Sequence, residues 1–141
     1  MTNRIERGLQ IFSELLGPAA GKAMREAIDQ PEGFGAPIAR IATEYAFAEI
    51  WGRDGLERKQ RSLVTLGILI ANRQTLELKN HVRIAVANGL TARELEEVLI
   101  QSIPYVGFPA VASATTAMIE TLREMGLDLK QTRTSEERGL L

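Results

Sequence analysis

Apolar residues recur every three or four positions along nearly the whole chain, as they do on one face of an α-helix. No run of strict apolar and polar alternation longer than a few residues competes with this spacing. The first stripe consists of Ile5, Leu9, Phe12, Leu15 and Leu16. The pair Gly17-Pro18 ends it, because proline lacks the backbone N–H that a helix interior needs. The pattern predicts an all-α protein.

Three further helices are predicted in the first half of the chain. A short helix runs through Met24 to Ile28, and the segment 29–37, with two prolines and two glycines, predicts a bent connector. A third helix is expected from about Pro37 to Trp51, where residues 52–55 stop it. A fourth, from about Leu56 to Asn72, is almost wholly apolar after a charged start, so it must be covered by its own fold or by another subunit.

Two boundaries mark the second half of the chain. A fifth helix carries His81 and ends at Asn88-Gly89, since glycine takes the left-handed backbone conformation at little cost. Thr91 followed by Glu94 predicts a capping box, in which each side chain accepts a hydrogen bond from the other residue's backbone N–H. We expect a sixth helix to begin at this point.

The length of 141 residues fits a single domain of six to seven helices. The sixth helix is expected to run to about Tyr105, and a seventh follows the break at residues 107–109. We assign the whole chain to one domain, with its core at about 35–125 and a tail at 126–141. The end of the tail, residues 131–141, carries charges with little periodicity and is expected to be loose unless it packs on a neighbouring subunit.

Charge and hydropathy narrow the possible partners. Basic and acidic residues are mixed along the chain, with a formal net charge of -1, so no footprint for DNA or RNA is visible. The longest apolar stretch, residues 63–71, is about half of what a bilayer span needs, and residues 1–10 lack the apolar core of a signal peptide. We therefore expect a cytoplasmic protein that binds neither nucleic acid nor membrane.

The sequence contains no cysteine and one histidine. The absence of cysteine excludes disulfides, thiolate nucleophiles and cysteine-bound zinc. A metal site would have to draw on carboxylates from several elements, and the sequence shows no such cluster. We expect no metal ion.

His81 and Glu49 are the two candidate acid-base residues. His81 titrates near neutral pH, so it could act as acid, base or hydrogen-bond donor to an oxyanion. It could equally be a surface or core histidine paired with Glu77, four residues earlier. Glu49 lies at the end of an apolar face, either exposed at its rim or buried with a raised pKa, as a general acid needs. Spacing does not choose between these alternatives.

Other side chains are candidates for substrate contacts. Arg61 is the last charge before the apolar run of the fourth helix, and its guanidinium could bind a substrate carboxylate or lie on the helix surface. The rings of Tyr105 and Phe108 could wall a pocket or form a packed helix corner. Tyr45 is four residues before Glu49 and therefore close to it on the helix.

Four parts of the chain form an ordered set of motifs. They are residues 44–51 (EYAFAEIW) with 52–66, residues 77–91, residues 96–102 with 105–110, and the N-terminal pairs Arg7-Gly8 and Leu16-Gly17. All four resemble parts of the carboxymuconolactone decarboxylase family. Residues 44–66 resemble the opening of its domain, residues 77–91 its histidine helix and turn, and residues 96–110 its next helix and corner. The N-terminal pairs resemble its leader. The resemblance covers nearly the whole chain up to about Met125.

The resemblance implies an alkylhydroperoxidase D-like helical fold that assembles into homo-oligomers, trimers or hexamers, with sites near subunit contacts. One branch of the family uses a Cys-x-x-Cys pair, and Gln74 and Glu77 stand at these positions, which excludes a dithiol peroxidase. The other branch uses no cofactor. Resemblance to it points to Glu49, Arg61 and His81, with Tyr45 nearby. We take His81 and Glu49 as the candidate catalytic residues, and Arg61, Tyr45, Tyr105 and Trp51 as the candidate substrate contacts.

In that branch an acidic lactone loses CO2, the electrons move into the conjugated lactone carbonyl, and the dienolate is reprotonated. The resemblance thus implies a lyase of the 4-carboxymuconolactone type, active in aromatic catabolism. His81 would donate to the lactone oxygen or reprotonate carbon, Glu49 would orient or relay the proton, and Arg61 would hold a carboxylate. Two alternatives stay open: a non-catalytic oligomeric binding or accessory protein, and an isomerase or other proton-transfer enzyme that uses the same pocket.

Overall fold

The computed structural model describes residues 3–127 and 132–140, in which all regular structure is helical and no strand occurs. The helices are α1 (Arg4–Leu16), α2 (Pro18–Ile28), α3 (Ala36–Ile41), a π-helix (Ala42–Trp51), α4 (Arg58–Ala71), α5 (Thr75–Ala87), α6 (Ala92–Val106) and α7 (Phe108–Glu124). The prediction of an all-α protein is confirmed. No helix in these ranges is long and apolar enough to cross a membrane.

The chain divides into two compact units, Met1–Arg58 and Lys59–Leu141. In the first unit, the side chain of Asn3 caps α1 by accepting a hydrogen bond of 3.0 Å from the N–H of Ile5. Gly17, at a φ of 97°, ends α1, and α2 begins directly after it with Pro18. The assignment of both units to one domain stays a prediction.

Gly8 allows α1 to approach the π-helix closely. A Cβ atom at this position would lie 2.1 Å from the carbonyl oxygen of Thr43 and 2.7 Å from its Cγ2 atom. Thr43 is fully buried, and its hydroxyl donates a hydrogen bond of 2.8 Å to the carbonyl oxygen of Ala39. Any side chain at position 8 would therefore push the two helices apart.

The sequence predicted one α-helix from about Pro37 to Trp51, but most of this segment is a π-helix. After α3, the hydrogen bonds join residues five apart, as from the N–H of Gly52 to the carbonyl oxygen of Phe47 at 3.1 Å. The rings of Phe12 and Phe47 meet edge to face, with centroids 4.8 Å apart, and hold the π-helix against α1. Ten residues make only about three turns, too few for the apolar spacing to distinguish a slightly wider helix from an α-helix.

The second unit has its own apolar core. Its buried side chains come from α4 to α7 and the turn between α5 and α6: Leu66, Ile70, Leu78, Val82, Ala85, Leu90, Leu95, Leu99, Val111, Ala114, Ala117, Met118 and Leu122. Gly89, at a φ of 94°, stands where α5 was predicted to end. The predicted capping box is confirmed, because Thr91 and Glu94 exchange two side-chain to backbone hydrogen bonds of 3.1 Å.

α4 leaves one apolar face exposed on the single chain. Leu66 and Ile70 are buried in the core, whereas Leu63, Val64 and Ile68 keep 40%, 56% and 54% of their surface exposed. The chain's own fold therefore covers only part of this helix, which the sequence expected to be covered on all sides. Assembly into trimers or hexamers stays a prediction.

The prediction of a loose tail is wrong for residues 132–140, which are bound to α7. Both guanidinium nitrogens of Arg123 donate to the carboxylate of Glu137, at 2.7 and 3.0 Å. Thr134 and Glu137 exchange hydrogen bonds of 2.8 and 3.2 Å, as in a capping box. The hydrogen bond from Arg123 lowers the pKa of Glu137 to about 2. Residues 131 and 141 of the predicted tail lie outside the described residues.

Candidate active site

His81 lies on α5, half-buried at the edge of the second unit's core. Leu78 and Val82, beside it on the helix, are fully buried, and the Nδ1 atom of His81 is shielded from solvent. Burial lowers the pKa of His81 below its ordinary value of 6.5, and the negative charge of Glu77 opposes this shift by a smaller amount. The imidazole is therefore neutral at neutral pH.

A neutral imidazole can do two kinds of chemistry at this position. One ring nitrogen can donate a hydrogen bond to an oxygen that gains negative charge, and the other can accept a proton. His81 is half-buried rather than exposed at the surface, and burial affects its pKa more strongly than the charge of Glu77 does. A core histidine paired with Glu77 stays the alternative to a catalytic residue.

Arg61 lies on α4, in the same unit as His81. Its side chain is half-buried and its Nε atom is shielded from solvent, so it does not simply lie on the helix surface. The next residue, Ser62, is buried and accepts a hydrogen bond of 2.9 Å from the side-chain amide of Asn88 at the end of α5. This bond fixes the start of α4 relative to the helix that carries His81.

Glu49 has a different environment, on the π-helix of the first unit. One carboxylate oxygen lies 2.7 Å from the Nη1 atom of Arg4, and 40% of the Glu49 side chain is exposed. Of the two alternatives from the sequence, the structure places Glu49 at the rim of the apolar face. Its carboxylate is held by an ion pair across to α1.

Around Glu49 lies an open cavity of about 530 Å³ with an unusual number of charges. Arg4, Arg7 and Arg53 line it together with Glu49 and Asp54. Arg7 also donates a hydrogen bond of 2.7 Å to the carbonyl oxygen of Gly52, just after the π-helix. None of these arginines was predicted as a site residue, although the spacing of Arg4 and Arg7 puts both on one face of α1.

The three aromatic candidates differ widely in exposure. Tyr45 is 60% exposed, on the same π-helix as Glu49, and Tyr105 is 80% exposed at the end of α6. Phe108 beside it is also exposed, so the corner predicted between α6 and α7 presents its rings to solvent in the single chain. Trp51 is 8% exposed. It contributes mainly to the packing at the end of the π-helix.

The structure therefore arranges the candidates in two groups. Tyr45, Glu49 and Trp51 share the π-helix of the first unit. Arg61, His81 and Tyr105 lie on α4, α5 and α6 of the second. That the two groups form one site stays a prediction. Within the described ranges no three histidine, aspartate or glutamate side chains are grouped as metal ligands.

Sequence comparisons identify relatives of this chain. Residues 36–120 match the model of the carboxymuconolactone decarboxylase family, a range that includes the whole π-helix and the helix of His81. The chain is 33% identical over 120 residues to nitrosuccinic acid decarboxylase npaB of Metarhizium robertsii, covering 85% of this chain and 82% of that protein. It is 32% identical over 124 residues to 4-carboxymuconolactone decarboxylase of Acinetobacter baylyi, covering 88% and 90%.

A third relative is an uncharacterized 15.0 kDa protein of Paracoccus denitrificans, 36% identical over 73 residues, or 50% of this chain and 54% of that protein. The two longer matches support a decarboxylase. The family match and these relatives agree with the motifs around Glu49 and His81. The chain belongs to the carboxymuconolactone decarboxylase family.

Proposed function

We propose that the protein is a cofactor-independent carboxy-lyase that removes CO2 from an acidic lactone of the 4-carboxymuconolactone type. The observation that supports this most directly is the environment of His81, on the helix that carries the family motif. Its imidazole is half-buried, and this burial lowers its pKa. The two decarboxylase relatives support the reaction class. Their different substrates leave the choice of acid to experiment.

The reaction needs a place for the electron pair that CO2 leaves behind. When the bond to the carboxylate breaks, the pair moves into the conjugated carbonyl and makes an enolate oxygen, and a proton is then added at carbon. A neutral N–H of His81 donates a hydrogen bond to that oxygen as the negative charge on the oxygen develops. This lowers the barrier, because a donor that is already in place does not have to reorganise during the reaction. In nitrosuccinic acid, the nitro group beside the carboxylate could take up the electron pair in the same way.

Arg61 and Glu49 have supporting roles in this proposal. The guanidinium of Arg61 binds a carboxylate of the substrate through two parallel hydrogen bonds. Glu49, paired with Arg4, orients the substrate or relays the proton. Tyr45, Tyr105 and Trp51 are the other proposed substrate contacts. Assembly into trimers or hexamers and a cytoplasmic location stay predictions.

The test is CO2 release from two acids. Purified protein is incubated with 4-carboxymuconolactone, generated in place from carboxymuconate by its cycloisomerase, and separately with nitrosuccinic acid. His81→Ala is measured beside Asn80→Ala, an exposed neighbour on the same helix. We expect turnover of the lactone that His81→Ala abolishes and Asn80→Ala retains.

Other results would change the proposal in defined ways. Turnover of nitrosuccinic acid alone would keep the carboxy-lyase and replace the lactone. Turnover that persists in His81→Ala would contradict the role of His81. No CO2 from either acid, in a protein whose circular dichroism is helical, would contradict the proposed reaction and favour a binding protein or a proton-transfer enzyme.

A further inference from the structure

A second cavity lies in the second unit. It has a volume of about 680 Å³ and is formed by α6, α7 and the end of the chain. None of the six candidate site residues lines it. Cavities of this size are typical of sites for small organic ligands.

The floor of this cavity is apolar. Leu95 and Leu99 of α6 and Met118 and Leu122 of α7 belong both to its lining and to the buried core. Leu140, which also lines the cavity, is 71% exposed. A ligand that lies between Leu140 and the floor would remove this exposed apolar surface from water, which favours an apolar body.

The rim of the cavity is basic. Arg93, Arg133 and Arg138 line it against a single glutamate, Glu96. Within the described part of the chain, none of these three arginines forms an ion pair. The acids nearby form their ion pairs with other cations, Glu94 with Lys59 and Glu137 with Arg123. The charge of Arg133 also acts on Glu137, but more weakly than the hydrogen bond from Arg123 does.

The position of the rim depends on the end of the chain. Arg133 and Arg138 belong to residues 132–140, and this segment is bound to α7 through Arg123 and Glu137. A hydrogen bond from Arg123 to the carbonyl oxygen of Thr132 adds a second attachment. The two arginines are therefore held over the cavity rather than displayed on a free tail.

We infer that this cavity binds an organic anion with an apolar body, of the class of medium-chain monocarboxylic acids. The carboxylate binds to the arginines at the rim, because the guanidinium fork matches its two oxygens. The hydrocarbon chain lies against Leu140, over the leucines and the methionine of the floor. The site is independent of the proposed decarboxylation, and its ligand need not be a substrate.

The experiment is isothermal titration calorimetry of the full-length protein with sodium decanoate, kept below its micelle-forming concentration. Decanol and acetate test the two halves of the ligand separately. We expect one decanoate per chain, with much weaker binding of both decanol and acetate. Decanol that binds as tightly as decanoate would overturn the inference, and so would an absence of saturable binding.

Variants then locate the site. Arg93→Gln, Arg133→Gln and Arg138→Gln remove one charge each, and at least one should raise the Kd for decanoate on the order of tenfold. Lys22→Gln, an exposed cation of the other unit, is the matched control and should leave the Kd unchanged. Equal affinity in all four variants would overturn the inference.

A second pair of variants does not depend on charge. Ala92→Trp fills the cavity from an exposed position at the start of α6, and Ala19→Trp adds the same ring to an exposed position on α2. Only Ala92→Trp should abolish decanoate binding. Two other results would overturn the inference. Loss of decanoate binding in His81→Ala, with binding kept in Ala92→Trp, would place the ligand outside this cavity. Arginine variants that change the sedimentation coefficient but not the Kd would assign the cavity to a contact between copies.

Discussion

Glu49 and His81 were both predicted as acid-base residues, and the structure gives them opposite environments. His81 is half-buried beside fully buried apolar residues, and its pKa is lowered because burial disfavours the imidazolium. Glu49 is partly exposed and has its carboxylate in an ion pair with Arg4. One side chain is partly desolvated, and the other is held in an exposed ion pair.

This difference indicates how the two residues could divide the labour in a decarboxylation. A developing oxyanion is best stabilised by a preorganised donor that is partly removed from water, and His81 is half-buried with its Nδ1 atom shielded from solvent. A carboxylate that an arginine holds in place is suited to orienting a substrate or a water molecule.

The contrast predicts unequal losses of turnover. His81→Gln should lower kcat/KM for the proposed substrate by about 10²–10⁴-fold, which is the usual contribution of acid-base catalysis. Glu49→Gln keeps the shape of the side chain and should cost on the order of tenfold, the scale of one charge-assisted hydrogen bond. The measurement is steady-state CO2 release by both variants at one pH. Losses of equal size would show that the two residues act as one unit.

The close approach of α1 to the π-helix predicts a difference in stability between the two units. Gly8→Ala places a methyl group 2.1 Å from the carbonyl oxygen of Thr43 and should lower the free energy of unfolding by about 1–3 kcal/mol. Gly67→Ala, on α4 with no atom within 4 Å of its added Cβ, should raise it by about 0.5–1 kcal/mol. Chemical denaturation of both variants measures the two effects.

Each glycine variant also has an outcome that would contradict the structure. Gly8→Ala with unchanged stability would show that α1 does not approach the π-helix so closely. Gly67→Ala that destabilises the protein and changes its sedimentation would show that another subunit covers this part of α4. The exposed residues Leu63 and Ile68 on the same helix would then belong to an interface between copies.

Local features of the fold were predictable from the sequence, whereas partnerships over long separations were not. The stripe that starts at Ile5 and the capping box of Thr91 and Glu94 depend on residues three or four apart, and both are confirmed. Glu49 finds its partner 45 positions away, at Arg4. No local pattern indicates which of 17 basic residues a carboxylate will meet, because tertiary packing decides it.

The candidate site follows the same division. The family motifs singled out His81 and Glu49, but their burial depends on the neighbours that each helix acquires on folding. The tail gives a further example. Thr134 and Glu137 are spaced as in a capping box and exchange its two hydrogen bonds. The sequence did not predict this pair, because no periodic apolar pattern follows it that would indicate a helix. Its attachment to Arg123 became visible only in the structure.

The lowered pKa of His81 predicts a change in stability with pH. The unfolded chain takes up a proton at His81 near pH 6.5, but the folded chain does so only at lower pH. The unfolded state therefore binds more protons in this interval, and stability falls as the pH drops below 6.5. The measurement is the Tm of the protein between about pH 5.5 and 8, a range centred near the ordinary pKa of histidine. His81→Gln should lose this slope, and an identical slope in both proteins would contradict a shifted His81.

The smallest expected effect is that of the ion pair at Glu49. Arg4→Gln should lower the free energy of unfolding by less than about 1 kcal/mol, because ion pairs between exposed side chains contribute little. Lys22→Gln, which loosens the wider pair with Glu26 at 4.0 Å, is the matched control in the same unit. If Arg4 matters chiefly by holding the carboxylate in place, Arg4→Gln should reduce kcat/KM several-fold more than Lys22→Gln at nearly equal stability. A large loss of stability without a selective loss of turnover would instead make the pair structural. Glu49 would then hold the π-helix to α1, leaving His81 alone as the group that meets the substrate's developing charge.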